Sequence, residues 1–505
     1  MSRTRNSLRN AGASMAGQLL NNLMKFICRT VFIYTLGKEY LGISSLYANV
    51  LTILSISELG FGSAITYSLY RPLAENDKDT IRSLLGMFKI AYRVIGTVIL
   101  VLGLCLMPFL PALMTGVTDK VNIYVYYLLY LSQTVVSYFF FAYKSTLLVA
   151  DQKKYIHDIV VYIAHIAMNL VQILILLIWR SFFAYTVAAI ASNIVQNVAV
   201  AIMVDKRYPY IKEKAKPAGK KLRGDVFHRV YAMSLYKVST AVGTATDNLI
   251  ISHFVSIVAA GMYDNYFMIV SIIQKILSGF FQSFTSSLGN LYVLETKERN
   301  EFVFRCLNLL NNWLIVFCSV CFLALFQPFV VLWIGEDYLL PMSTVFVIVY
   351  NFATNYLQCI VQIYKDACGL FVQGKYRAVA TAVLNLIISI ILVQYLGITG
   401  VLLGSIISRM VTTWCYDAWL LYKRGFEMSP LRYYVDSIVT LLLILGCWMI
   451  VDRIPVTGAT WPSLILRGVI CVIIPNSVCL LLYGRTDEFR FLLNKGISLL
   501  KKRKF

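Results

Sequence analysis

Gln18, Asn22, Lys25 and Arg29 follow one another at intervals of four, three and four inside an apolar run, Ala11–Leu36, long enough to cross a bilayer. That spacing puts all four on one face of a helix. A cation at mid-bilayer depth costs about 2.5–3.5 kcal/mol on insertion scales. Two cations one turn apart therefore imply a water-filled cavity with something negative in it. Two blander arrangements compete. A Lys can snorkel to the headgroups, but Lys25 lies too near the middle of the run. An ion pair with a helix neighbour such as Glu58 is the other.

Three further segments carry one-sided polar stripes. The second span holds Ser45, Asn49, Thr52, Ser55, Glu58 and Gly62; the seventh holds Ser234, Lys237, Thr240, Thr244 and Asp247. The eighth holds Asp264, Met268, Ser271, Lys275, Ser278, Gln282 and Thr285. A single Ser or Thr in such a place bonds across to a neighbouring helix for about 0.6 kcal/mol. The coincidence of Lys25, Arg29, Lys237 and Lys275 with Glu58 and Asp247 points instead to a functional cavity, lined also by Gln18, Asn22, Asn49, Asp264 and Gln282. Cations outnumber carboxylates there, so the expected ligand is an anion. A diphosphate suits it, because two or three cations surround it with charge-assisted bonds and Arg forks onto two oxygens. Glu58 and Asp247 either hold the cations between transport events or take a coupling proton or sodium ion.

The elements that position these residues are membrane helices. Of 505 residues, 59% are hydrophobic and 14% charged, with a mean hydropathy of +0.70, against roughly 25% charged in soluble domains. The apolar segments are far longer than the roughly 10-residue alternating strands of a membrane barrel. The pattern predicts an all-α polytopic membrane protein of fourteen spans: 11–36, 42–69, 87–108, 121–142, 156–178, 182–204, 230–254, 260–287, 305–332, 340–363, 377–396, 399–421, 433–451 and 465–483. With the amino terminus on the cytoplasmic side, 36 Lys and Arg fall on inner connections, five on outer ones and five within spans. This bias places both termini in the cytoplasm. It also accounts for the net charge of +21 through topology and anionic lipid rather than nucleic acid.

The stretch 205–229, rich in Lys with Pro209, Pro217, Gly219 and Gly224, separates an N-lobe (1–204) from a C-lobe (230–421). Two further helices occupy 422–484, and 485–505 forms a basic amphipathic tail expected to lie on the inner leaflet. A weak repeat supports two related lobes: Tyr47-Ala48-Asn49 with Ser55 returns as Tyr263-Asp264-Asn265 with Ser271. Cys318 and Cys321 form a CxxC without a second pair or a nearby His, so no metal or redox site is expected. Arg409, with Asp417 two turns on, reads as structural, and His165 and His253 read as isolated, satisfied or interface histidines.

At Glu58-Leu59-Gly60-Phe61-Gly62-Ser63-Ala64-Ile65, followed by Leu69-Tyr70-Arg71-Pro72-Leu73-Ala74, the sequence resembles bacterial polysaccharide transporters. Thr246-Asp247-Asn248-Leu249-Ile250-Ile251-Ser252 and Gly261-Met262-Tyr263-Asp264-Asn265-Tyr266 look like the same family. These are the Wzx-type flippases of the multidrug/oligosaccharidyl-lipid/polysaccharide (MOP) superfamily. The resemblance implies a MATE/MurJ-like V of two six-helix lobes plus two C-terminal helices. It implies movement of undecaprenyl-diphosphate-linked oligosaccharide from the inner to the outer leaflet of a bacterial cytoplasmic membrane, by alternating access, for capsule, exopolysaccharide or O-antigen synthesis. Lys25 and Arg29 occupy places comparable to the cavity-lining cations of the peptidoglycan-precursor flippases. The expected partners are the lipid-linked substrate, anionic lipids, and a polysaccharide polymerase or glycosyltransferases. No cofactor is expected beyond a coupling ion. An ion-coupled multidrug antiporter of the same superfamily is the nearest rival, but its cavity would be dominated by acids. A membrane-embedded glycosyltransferase or polymerase needs outer loops larger than Gly37–Leu41, Ser252–Ala259 or Gly397–Thr399.

Overall fold

The computed structural model describes residues 3–55, 61–113, 122–140, 142–151, 153–213, 219, 223–224, 226, 230, 246–368, 370, 375–456 and 458–502. Among them the secondary structure is helical, and no strand occurs. The main helices are α1 (Arg3–Leu54), α2 (Phe61–Ala74), α3 (Lys78–Leu106), α4 (Ile123–Phe139), α5 (Lys154–Trp179), α6 (Phe182–Arg207), α7 (Ile257–Gln282) and α8 (Lys297–Ile334). They continue as α9 (Met342–Leu357), α10 (Cys359–Ala367), α11 (Lys375–Leu396), α12 (Ile398–Arg409), α13 (Cys415–Leu421), α14 (Leu431–Asp452), α15 (Trp461–Tyr483) and α16 (Asp487–Lys502).

Ten helical stretches among the described residues are long and apolar enough to cross a membrane, which makes this a multi-pass membrane protein. The other four of the fourteen expected spans have individual reasons for falling short. The polar stripe dilutes the apolar character of 11–36, α4 is 17 residues long, and residues 56–60 within 42–69 and most of 230–254 lie outside the described residues.

The chain divides into two compact units, Met1–Gly261 and Met262–Phe505. In the first, α1 is two helical arms joined at Gly37, whose φ of 83° and ψ of −170° only glycine adopts without strain. The expected outer connection Gly37–Leu41 thus shrinks to one residue. The first arm lies along α5 with Gly17 flat against the Tyr162 ring and Cys28 Sγ 3.9 Å from Gln172 Oε1. Phe32 meets Phe182 and Tyr185 edge-on. The second arm holds α4 through Ser44 Oγ, 2.7 Å from Tyr130 Oη, and Tyr47 Oη, which donates to the Ile123 carbonyl at 2.6 Å. It also meets the start of α7, where a Cβ on Gly42 would collide with the Ile257 carbonyl. That close crossing is why the first unit runs on to Gly261 rather than stopping at the basic stretch 205–229.

The second unit is built on α8. Its 38 residues span about 57 Å at 1.5 Å per residue, well beyond a hydrocarbon core of about 30 Å. An aromatic core of Phe281, Phe304, Tyr364, Tyr422, Phe426 and Tyr433 gathers around it. Buried tyrosine hydroxyls there find acceptors, Tyr433 on the Leu357 carbonyl at 3.0 Å and Tyr364 on the Asn300 carbonyl at 3.3 Å. The start of the tail helix α16 docks on this unit instead of merely lying on a leaflet. Glu488 accepts from both Arg305 and Arg432 at 2.9 Å, and Phe489 stacks on Trp313 at 5.7 Å.

Candidate functional site: a cationic stripe on the first helix

The stripe predicted on α1 exists as a helical face. Leu20, Leu23, Ile27 and Tyr34 are exposed apolar residues that share the other side of the helix, about half a turn round from Gln18, Asn22, Lys25 and Arg29. Lys25 is exposed, and Gln18, Asn22 and Arg29 are half-buried. The cations therefore do not share the face that presents Leu and Ile to the surroundings. Asn21, Cys28 and Phe32 are buried between the two faces, on the side packed against α5 and α6.

The neighbours of the two cations come from three other helices of the same unit. Arg29 lies within electrostatic reach of Tyr130 on α4 and Tyr185 on α6. Tyr185 is itself placed by Gln172, whose Nε2 donates to the Tyr185 carbonyl at 3.1 Å. Lys25 acts electrostatically on His165 of α5. Of the sequence readings of His165, satisfied or interface, the packing of α1 on α5 favours the interface one. The His165 Nδ1 is buried without a hydrogen-bond partner among the described residues, and so is Asn21 Oδ1. The contacts of Gly17 with Tyr162 and Cys28 with Gln172 set a register that puts Asn21 opposite His165. A polar layer thus runs from the cationic face into the α1–α5 interface. Sequence offered no signal for it, because the register of one helix on another is a tertiary fact.

The remaining predicted residues divide between the units. In the first unit, Asn49 donates to the Ser45 carbonyl at 2.8 Å within its own helix. Asp247 is buried, and the adjacent Asn248 donates to Ser45 Oγ at 3.1 Å. In the second unit, Asp264, Ser271, Lys275 and Gln282 recur at seven, four and seven on α7, with Lys275 and Gln282 exposed and Asp264 half-buried. Glu58 and Lys237 lie outside the described residues.

The second unit adds a charge cluster that sequence assigned differently. Asp417 pairs with Lys365 of α10 at 2.6 Å and Arg377 of α11 at 3.2 Å, whereas Arg409 donates to Asn351 Oδ1 of α9 at 2.9 Å. A π-helical segment over Met410–Trp414 separates Arg409 from Asp417 and changes the faces they present. No group of three or more His, Cys, Asp or Glu able to hold a metal ion is found among the described residues.

Over residues 7–284 the chain matches the family model described as "Polysaccharide biosynthesis protein". No curated protein sequence matches it. Among solved structures it is similar to the lipid II flippase MurJ in an inward closed conformation, at 14% identity over 93% of this chain and 98% of that chain, with a TM-score of 0.65. It is similar to an inward-facing multidrug resistance MATE family transporter of the MOP superfamily, at 15% identity over 85% of this chain and 99% of that one, with a TM-score of 0.61. A Vibrio cholerae MATE transporter, VcmN, in mutant form, follows at 15% identity, 86% and 99% coverage, and a TM-score of 0.53. At such identities these three speak for the fold alone. The family model covers more than half of the chain, including the whole cationic stripe of α1, so the chain belongs to the polysaccharide biosynthesis protein family, on the helical fold of the MATE and MurJ transporters.

Proposed function

We propose that this protein is a flippase that carries an isoprenoid-diphosphate-linked oligosaccharide across the bacterial cytoplasmic membrane by alternating access, for surface-polysaccharide synthesis. The observation that carries the reading is the α1 stripe, two cations one turn apart on the face away from the exposed Leu and Ile side chains, inside the segment matched to the family. A diphosphate recruits this chemistry directly. Lys25 supplies a mobile point charge, and Arg29 supplies a planar fork for two oxygens of one phosphate. Tyr130 and Tyr185 lie within electrostatic reach of Arg29. Lys237 and Lys275 extend the same chemistry in this reading, with Glu58 and Asp247 as pairing or ion-coupling carboxylates. Both termini are assigned to the cytoplasm from the inner excess of Lys and Arg.

The test is glycan export in cells whose own flippase is deleted. Lys25→Ala combined with Arg29→Ala is expected to lower export by at least about tenfold, since each charge-assisted bond is worth roughly 1.5–3 kcal/mol, with the protein still present in the membrane at normal amounts. The MATE likeness gives a second reading, multidrug antiport. Export unchanged in the double variant, with drug resistance abolished, would establish that reading and remove the first.

A further inference from the structure

Away from the α1 stripe, α3 and α4 leave a groove of about 150 Å³ lined by Lys89, Arg93, Tyr138, Phe139, Phe140 and Tyr143. Lys89 and Arg93 stand one turn apart on α3, and both are exposed. No carboxylate lines the groove. Asp205, which lies within electrostatic reach of Tyr143, is held by Lys144 Nζ at 2.6 and 2.8 Å. The groove therefore keeps two positive charges that no lining acid offsets, and the aromatic rings beside them lower the local polarity.

The same two helices continue the groove as an apolar track. Along the side of α3 that carries Lys89 and Arg93, Leu104 is exposed, and so are Leu128 and Phe139 of α4. The helices run antiparallel here, with the Tyr127 hydroxyl donating to the Gly103 carbonyl at 2.9 Å and the Tyr92 and Tyr138 rings 5.8 Å apart. Charge gathers at one end of the track and hydrocarbon along the rest. That polarity matches a lipid with an anionic head.

We propose that this groove is a binding site for one anionic phospholipid, its phosphodiester between Lys89 and Arg93 and its acyl chains along the α3–α4 track. Arg93 offers a fork to the phosphate oxygens, and Lys89 adds a second charge-assisted bond. The rings of Phe139 and Phe140 cover the glycerol level. A free phosphate would leave the apolar track without a role, and a groove this small has no room for an oligosaccharide. The site is independent of the cationic stripe on α1, and its fate does not depend on what the protein transports.

The full chain, purified in detergent and titrated with phosphatidylglycerol, gives the test, with retained lipid counted by native mass spectrometry. Phosphatidylglycerol is expected to bind in preference to phosphatidylcholine. Lys89→Gln or Arg93→Gln should each weaken it about fivefold, and the double variant about 30-fold, as expected for one basic side chain at a membrane surface and for two. Lys206→Gln, an exposed basic residue outside the groove, should change nothing. If the double variant is poorly folded, Lys89→Arg with Arg93→Lys replaces it and should retain phosphatidylglycerol within about twofold of the unmodified chain. Equal retention of both lipids, unchanged binding in the double variant, an equal loss in Lys206→Gln, or loss of the preference in the charge-conserving pair would each overturn the site. So would preferential capture of a polyprenyl diphosphate in the same groove.

Discussion

Two places in this molecule put cations among membrane helices, and they solve the problem in opposite ways. In the second unit, Lys365 and Asp417 are each only 2% exposed and touch at 2.6 Å, with Arg377 joining from the side. In the first unit, Lys25 is exposed and Arg29 half-buried, on a helix face shared with amides and bordered by tyrosines. A sealed pair spends its charge on its partner. A cation at an exposed polar face stays within reach of a ligand that comes and goes. Burial, more than the mere presence of charge in a membrane helix, sets the two places apart.

The contrast breaks first at Asp417. Asp417→Asn leaves Lys365 buried beside a neutral side chain and should lower stability by about 3–5 kcal/mol, whereas adding Lys365→Met should recover much of the loss. Thermal unfolding in detergent measures both. A mild effect of the single change would mean that the cluster is hydrated and not sealed. Next comes Arg29→Lys, which keeps the charge and removes the fork. Export should fall about tenfold with stability unchanged, and full activity would show that charge alone suffices at that position. A smaller effect is expected at Asn21. Replacing its orphaned buried oxygen with Asn21→Leu should raise stability by about 1 kcal/mol while slowing export, if the polar layer reaching His165 serves transport. Stability gained with export intact would make the layer inert. The smallest effect is at Glu488, where Glu488→Gln should loosen α16 and speed proteolysis after Lys495 severalfold without lowering global stability by more than about 1 kcal/mol.

Much of this was legible in the sequence. Helix class, the multi-pass character and the one-sided stripe of Gln18, Asn22, Lys25 and Arg29 follow from spacing and hydropathy, since a period of 3.6 survives in the linear text. Pairings between helices do not. The partner of Asp417 is Lys365, 52 positions earlier, rather than Arg409 on the same continuous stretch, and only the π-helical segment and the packing of α10 reveal it. His165 looked isolated because Lys25, which acts on it, is 140 positions away and becomes a neighbour through the register of α1 on α5. The end of the first unit was placed by composition at the basic stretch 205–229, whereas packing carries it to Gly261 through a glycine crossing that composition does not mark.

Gly37 turns α1 into a lever with a one-residue joint. A one-residue joint holds the ends of the two arms together, so a shift of the Lys25–Arg29 arm along its axis is passed to the arm that grips α4 through Ser44 and Tyr47, while a tilt can be taken up by rotation about Gly37. Lengthening the joint by two or three flexible residues would leave both arms intact and cut the transmission between them.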